Sequence, residues 1–142
     1  AEIRTIREPD LRVRIVEERI SFDVSPQTWF EKYDSEQKEI QDRILSAQAC
    51  LDNVTLSSDF QLKISQVCSQ LEIEGLRGDI VSTRAAKALA AFEGRDAVTI
   101  KDIERTITLC LRHRLRTDPM QTISTGDKVN EVFKTIFMDS EI

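Results

Sequence analysis

Apolar residues along this chain recur mostly at spacings of three and four. Sustained alternation of Thr, Val, Ile and Tyr with polar residues is nearly absent, so the pattern predicts helices rather than a sandwich or barrel. Ala1 to Ile6 alternates loosely and stops at a Glu-Pro-Asp break; it is read as a short strand with no sheet of its own to join, which points to a missing portion ahead of it. From Pro9, a residue suited to a first helical turn, the positions Leu11, Val13, Ile15, Val16, Ile20 and Phe22 predict a helix. Ser25-Pro26 pairs an N-cap residue with an N1 residue, ending one helix and starting the next. The stretch from Pro26 to Leu51 has no glycine or further proline, and its apolar positions are Trp29, Phe30, Tyr33, Ile40, Ile44, Leu45 and Ala49. This is either one long helix or two abutting ones, with a break at Asp34-Ser35 in the polar middle. Trp29, Phe30 and Tyr33 at helical spacing are read as an anchor for packing rather than a binding stripe.

The second half reads as a compact bundle. Ser57-Ser58-Asp59 is placed to cap a helix with the stripe Phe60, Leu62, Ile64, Val67, Cys68 and Leu71, which Gly75 ends. A helix from about Arg77 to Phe92 follows, with Ile80, Val81, Ala85, Ala88, Leu89 and Phe92 expected inward and Gly94 as its stop. Thr99 and Asp102 stand at the N-cap and N3 places of a capping box, opening a helix with Ile100, Ile103, Ile107, Leu109, Cys110 and Leu111 and an end expected near Arg116. A last helix, about Asp127 to Phe137, offers Val129, Val132, Phe133, Ile136 and Phe137. The expected fold class is mainly α, a helical bundle preceded by a long helical segment and a short N-terminal strand.

Composition narrows the function classes. The 142 residues, 40% hydrophobic and 32% charged, fit one modest domain. No apolar run approaches the roughly 18 residues needed to span a bilayer, and the N-terminus is unlike a signal peptide, so a soluble chain with no membrane span is expected. A net charge of −5 argues against nucleic acid as a partner. The basic run Arg112-His113-Arg114-Leu115-Arg116 spreads around a helix and suits a helix C-terminus and subunit contact, with His113 read as an ordinary, partly buried histidine. Cys50, Cys68 and Cys110 include no C-x-x-C, and with the single His113 they make no convincing zinc site, so no metal ligand is assigned.

The chemistry-bearing candidate is Arg77, in Gly75-Leu76-Arg77-Gly78-Asp79 at the mouth of a helix. A guanidinium stays charged and offers a fork of donors matched to phosphate oxygens, and the helix N-terminus adds partial positive charge. The two glycines permit a tight turn and a close backbone approach. The alternative is a solvated turn arginine. Arg84, two helical turns on and on the same face, is read as a surface salt-bridge residue. Nothing in the chain reads G-x-x-x-x-G-K-[ST], so a phosphate-reaching arginine here would serve nucleotide machinery outside this stretch.

The segments EGLRGDIVSTRAAKALAAFEGRDAVTIKDI and LCLRHRLRTDP resemble the C-terminal helical domain of the magnesium chelatase I subunits, ATPases of the AAA+ class. The opening AEIRTIREPDLRVRIVEER resembles the stretch that leaves their ATPase core, and QVCSQL with LCLRHRLR leans toward the cyanobacterial and plastid members. Residues 1–8 would then be the last strand and exit from a missing core, 9–56 a long helical linker and 57–142 the C-terminal lid. The resemblance implies a part in ATP-driven insertion of Mg2+ into protoporphyrin IX, on the way to chlorophyll. The partners it implies are other I subunits in a ring, a D subunit and a porphyrin-carrying H subunit, in a cyanobacterial cytoplasm or plastid stroma. ATP and Mg2+ would bind the intact subunit, with none expected on this stretch alone, and no catalytic residue falls here. Arg77 matches the family's sensor-2 arginine, the nucleotide-binding residue of the lid. Cys68 and Cys110 match a C-terminal pair associated in plastid members with thioredoxin-type control; two small buried residues are the plainer reading. The lid of another MoxR-like AAA+ protein and a non-catalytic helical adaptor are the alternatives.

Overall fold

A computed structural model describes residues 5–115 and 124–138. Among these, six α-helices run in chain order: α1 (Pro9–Val24), α2 (Pro26–Cys50), α3 (Ser58–Gln70), α4 (Arg77–Phe92), α5 (Ile100–Leu111) and α6 (Thr125–Phe137), with 3-10 turns at Leu51–Asn53 and Arg112–Arg114. The expected strand lies largely outside the described residues; the described part, Thr5 and Ile6, is irregular. The chain divides into two compact units, one up to Ile44 and one from Leu45, with the boundary inside α2.

In the first unit, Pro9 and Pro26 each occupy the first turn of a helix, where no intrahelical N–H is needed. Ser25 separates the helices; its hydroxyl pairs with that of Thr28 at 2.9 Å. The α2 helix passes through Asp34 and Ser35 without a break. The elbow between α1 and α2 is held by Glu18, whose carboxylate accepts from Trp29 Nε1 at 2.8 Å, Lys32 Nζ at 2.8 Å and Tyr33 OH at 3.2 Å. The Lys32 ammonium and the Trp29 N–H hold the Glu18 carboxyl below its ordinary range. Phe22 lies edge-on to Trp29 and Phe30. The expected apolar stripe of α1 is not buried: no α1 residue is, nor any α2 residue.

The second unit has a conventional core. Ile64, Val67 and Cys68 from α3, with Leu71 just past its end, meet Ile103, Ile107 and Leu111 from α5 and Val129, Phe133 and Phe137 from α6, all buried. Leu62 and Leu109, both expected inward, are exposed. Each sits two residues from a buried position, about 200° around the helix, and so on the opposite side. The inward face of α4 also differs from expectation. It is the small-residue row Gly78, Ser82, Ala86 and Ala90 that is buried, while Ile80 and Ala88 are exposed. Small side chains at a spacing of four let α4 approach its neighbours closely, and the α4–α5 pair is the most extensive helix contact of the unit.

Local caps fix where these helices begin and end. Ser57 Oγ accepts the Phe60 N–H, and Ser124 Oγ the Asp127 N–H, each at 3.2 Å. Asp102 reaches back from α5 to accept the Thr99 backbone N–H at 2.8 Å and its hydroxyl at 2.9 Å. The same buried carboxylate receives a two-pronged contact from Arg95, at 2.6 and 2.7 Å, which ties the end of α4 to the start of α5. Gly94, at φ +71, closes α4 as expected, with Arg95 N donating to Ala90 O. Helix α5 stops at Leu111, short of Arg116, and tightens into the 3-10 turn; Arg116 itself lies outside the described residues. A parallel bridge, Thr55 to Ala97, stitches the α2–α3 connection to the α4–α5 connection.

Candidate functional site at the start of helix α4

The turn that delivers Arg77 is built from two left-handed residues. The first is Glu72, at φ 53, where Ile73 N donates to Cys68 O and Glu72 N to Ser69 O, the paired bonds that end α3. Gly75 was expected to end α3; that task falls to Glu72, and Gly75, at φ 70, instead swings the chain into α4. Gly78 is not needed for its φ. A Cβ there would lie 3.1 Å from Ile73 Cγ2, 3.2 Å from Cys68 Sγ and 3.3 Å from Leu111 Cδ2, so the missing side chain is what lets the first turn of α4 settle onto α3 and α5. The two glycines around Arg77 therefore do separate jobs, one conformational and one steric.

Arg77 is the first residue of α4 and is exposed. Its side chain has no hydrogen bond or ion pair among the described residues. The N-cap position is Leu76, which supplies no side-chain cap, so no capping side chain claims the first N–H groups of α4. Asp79 in the same turn is drawn aside by the Ser65 hydroxyl, which donates to it from α3. An open hollow of about 310 Å³, lined by Glu72, Ile73, Glu74, His113 and Arg114, lies beside the turn. Chemically the arrangement offers a forked cation and a helix N-terminus on one exposed edge, a combination that suits a phosphate group carried by a ligand held mainly elsewhere. Arg84 is exposed and, against expectation, makes no ion pair among the described residues.

Cys68 and Cys110 both reach the first turns of α4, and both are free thiols. Cys68 Sγ lies against Gly78, and the Cys110 thiol points to Val81 O at 3.8 Å. Burial pushes the Cys68 thiol up to about 12, helped by the negative charge of Asp79 and its hydrogen bond, and by Cys110. Burial raises Cys110 as well. Neither is poised as a thiolate at neutral pH. Cys50 is half-buried against Ala47 O and Ala91 O.

Sequence reasoning missed three features here. Arg95 lies across a turn from Asp102, a pairing with no periodic signature. Arg114 Nε is buried without a hydrogen bond among the described residues, and the buried Ser82 Oγ has the Cys110 thiol as its neighbour. His113, expected to be partly buried, is exposed. No group of three His, Cys, Asp or Glu among the described residues is arranged to hold a metal ion, and no helix among them is long and apolar enough to cross a membrane.

Comparison with known proteins bears on this geometry. Residues 61–132, the greater part of the bundle, match the model of a family described as the AAA lid domain. The chain is 59% identical over 137 residues to the magnesium-chelatase subunit ChlI of Trieres chinensis, covering 96% of this chain and 39% of that protein. It is 58% identical to ChlI of Cyanophora paradoxa and 56% identical to ChlI of Synechocystis, each over 137 residues and 96% of this chain, covering 40% and 38% of those proteins. The chain thus spans about two fifths of the length of the curated relatives it matches. With most of the helical bundle and the whole turn before α4 falling within the matched region, the chain belongs to the AAA lid domain family.

Proposed function

We propose that this chain is the lid of the ATPase motor subunit of a magnesium chelatase, in which Arg77 binds a phosphate of the nucleotide held by the rest of the subunit. Residues 57–142 are the lid, 9–56 the helical linker and 1–8 the exit from the ATPase core. The intact subunit binds ATP and Mg2+, and couples ATP hydrolysis to insertion of Mg2+ into protoporphyrin IX. It works as a ring of I subunits with a D subunit and a porphyrin-carrying H subunit, in a cyanobacterial cytoplasm or a plastid stroma. The observation that carries the reading is an exposed Arg77, without a hydrogen bond or ion pair among the described residues, on a first turn of α4 that has no side-chain cap, in a chain 59% identical over 137 residues to one ChlI. The residues fit a nucleotide at one point only: Arg77 supplies two parallel donors to phosphate oxygens, and the α4 N–H groups add to the local positive potential. No catalytic residue is assigned to this chain; its part is to bind, to orient the lid and to make contacts with neighbouring subunits. Cys68 and Cys110, both against the first turns of α4, are the pair whose thiols, by exchange with a thioredoxin-type disulfide that takes up their two electrons and two protons, would form a bond clamping α3 and α5 around the arginine helix, and the reverse exchange with the reduced dithiol would open it.

The test is ATP hydrolysis and magnesium-protoporphyrin formation by the intact subunit with its D and H partners. Arg77→Ala should abolish most of both activities with folding and ring assembly retained. Arg77→Lys, which keeps the charge but loses the fork, should recover only part. Unchanged rates in Arg77→Ala would reduce Arg77 to a turn residue.

A further inference from the structure

The α1 helix is apolar twice over. At 100° per residue, Leu11, Ile15, Glu18 and Phe22 fall within an arc of about 60°, whereas Val13, Val16, Ile20 and Val24 gather about 180° away. The two flanks between these edges are charged, with Arg12, Arg19 and Asp23 on one and Asp10, Arg14 and Glu17 on the other. The inner edge has its partner in α2 along its second half, where Glu18 and Phe22 meet Trp29 and its neighbours, while Leu11 and Ile15 in its first half are exposed. The outer edge is open along its whole length among the described residues: Val13, Val16, Ile20 and Val24 are 55%, 56%, 57% and 80% exposed. A helix apolar on opposite sides is built to be the middle of three layers, because a solvated helix keeps one polar face.

Two observations say what covers the outer edge. Four aliphatic side chains offer roughly 60–120 Å² each, so the edge presents roughly 250–500 Å². That falls short of the roughly 800 Å² per partner of a free-standing interface, so a second copy would not hold there by itself. A segment of the same polypeptide, at the millimolar effective concentration that a tether supplies, would. The relatives have such a segment to offer, since about three fifths of their chain lies outside the matched stretch. The mixed signs on both flanks give no attraction to an anionic surface and suit a neutral, apolar protein face.

We infer that the Val13, Val16, Ile20 and Val24 edge of α1 is seated against an apolar surface of the other three fifths of the full-length subunit, which makes α1 the layer between that surface and α2. The inference rests on the lengths of the relatives and on the packing of α1, not on the role of Arg77.

The experiment compares Ile20→Cys with Glu17→Cys, a flank control, in this 142-residue chain and in the full-length subunit. Each is labelled with N-ethylmaleimide and followed by peptide mass spectrometry, at micromolar concentration and after hundredfold dilution. The expected result is labelling of Ile20→Cys at least about tenfold slower in the full-length subunit, unchanged by dilution, with Glu17→Cys alike in both. Equal rates for Ile20→Cys would overturn the inference. So would slow labelling already in the short chain, which would place the cover within it, or protection that dilution removes, which would assign the cover to a second copy. Hydroxyl-radical footprinting of Val16 and Ile20 in the unsubstituted proteins reads the same surface with no mutation: less modification in the full-length subunit is expected, and equal modification overturns the claim.

Discussion

The two units of this chain contain similar helices and use them in opposite ways. From α3 to α6, apolar residues converge on a closed core of Ile64, Ile103, Ile107, Leu111 and Phe133, all buried. In α1 and the greater part of α2, residues of the same types lie on the surface, and order comes from one elbow of Glu18, Trp29 and Tyr33. The difference teaches that hydrophobic periodicity measures the demand for a partner without saying where the partner is. The bundle meets its demand internally; α1 carries it on two edges and meets it on part of one.

The sharpest way to break this comparison is to truncate one aliphatic side chain in each unit. Ile103→Ala, at a site with no solvent exposure, should cost about 3–4 kcal/mol, whereas Ile20→Ala in this chain should stay within about 0.5 kcal/mol. Urea denaturation checks both, and comparable costs would mean that α1 has a core of its own.

Next in size is the Arg95–Asp102 clasp. Arg95→Ala leaves a buried carboxylate without its partner and should cost roughly 3 kcal/mol. Arg95 holds the Asp102 carboxyl at about 2, against an ordinary 3.8, although burial alone would raise it. A depressed folded-state value contributes stability that is fully present above the ordinary range and is lost as pH falls toward the folded one. The bundle should therefore hold its melting temperature down to about pH 4 and lose this contribution between about pH 4 and 2. A loss already complete at pH 5 would contradict the assignment.

Gly78 and Gly75 sharpen the comparison inside the bundle. Gly78→Ala pushes a methyl group toward three side chains at once and should cost about 1–3 kcal/mol by overpacking, detectable as a lower denaturation midpoint. Gly75→Ala meets no atom within 4 Å, and its cost, about 1 kcal/mol, comes from the left-handed backbone alone. The smallest expected effect is at the elbow. Glu18→Gln should shift Trp29 fluorescence, by removing the carboxylate from its indole N–H, without moving the unfolding midpoint of the bundle.

The helix starts and stops were legible because they are local. Ser57, Thr99 with Asp102, and Gly94 each act within a few residues of their own position, and the structure uses each at its expected helix end. The facing of α4 was not legible. Counting apolar residues favours Ile80 and Leu89, but the distance of approach to its neighbours selected Gly78, Ser82, Ala86 and Ala90, and that distance is set by residues far away in sequence. Leu62 and Leu109 looked inward by composition and stand outward by angle. At the candidate site, the position of Arg77 at the start of α4 was readable from its glycines and the helical pattern after them. The steric role of Gly78 and the clasp of Arg95 were not, because both depend on which helices meet.

Arg77 and Arg84 lie on one face of α4, both exposed and both without an ion pair among the described residues, so they differ in position along the helix rather than in surroundings. Only Arg77 sits at the N-terminal turn. The decisive measurement is steady-state ATP hydrolysis by the full-length subunit carrying Arg77→Ala or Arg84→Ala, with nucleotide affinity read in parallel. The account predicts a loss on the order of 10–100-fold for Arg77→Ala, the worth of a charge-assisted contact to phosphate, and a rate near that of the unsubstituted protein for Arg84→Ala. Equal rates for the two variants would contradict it.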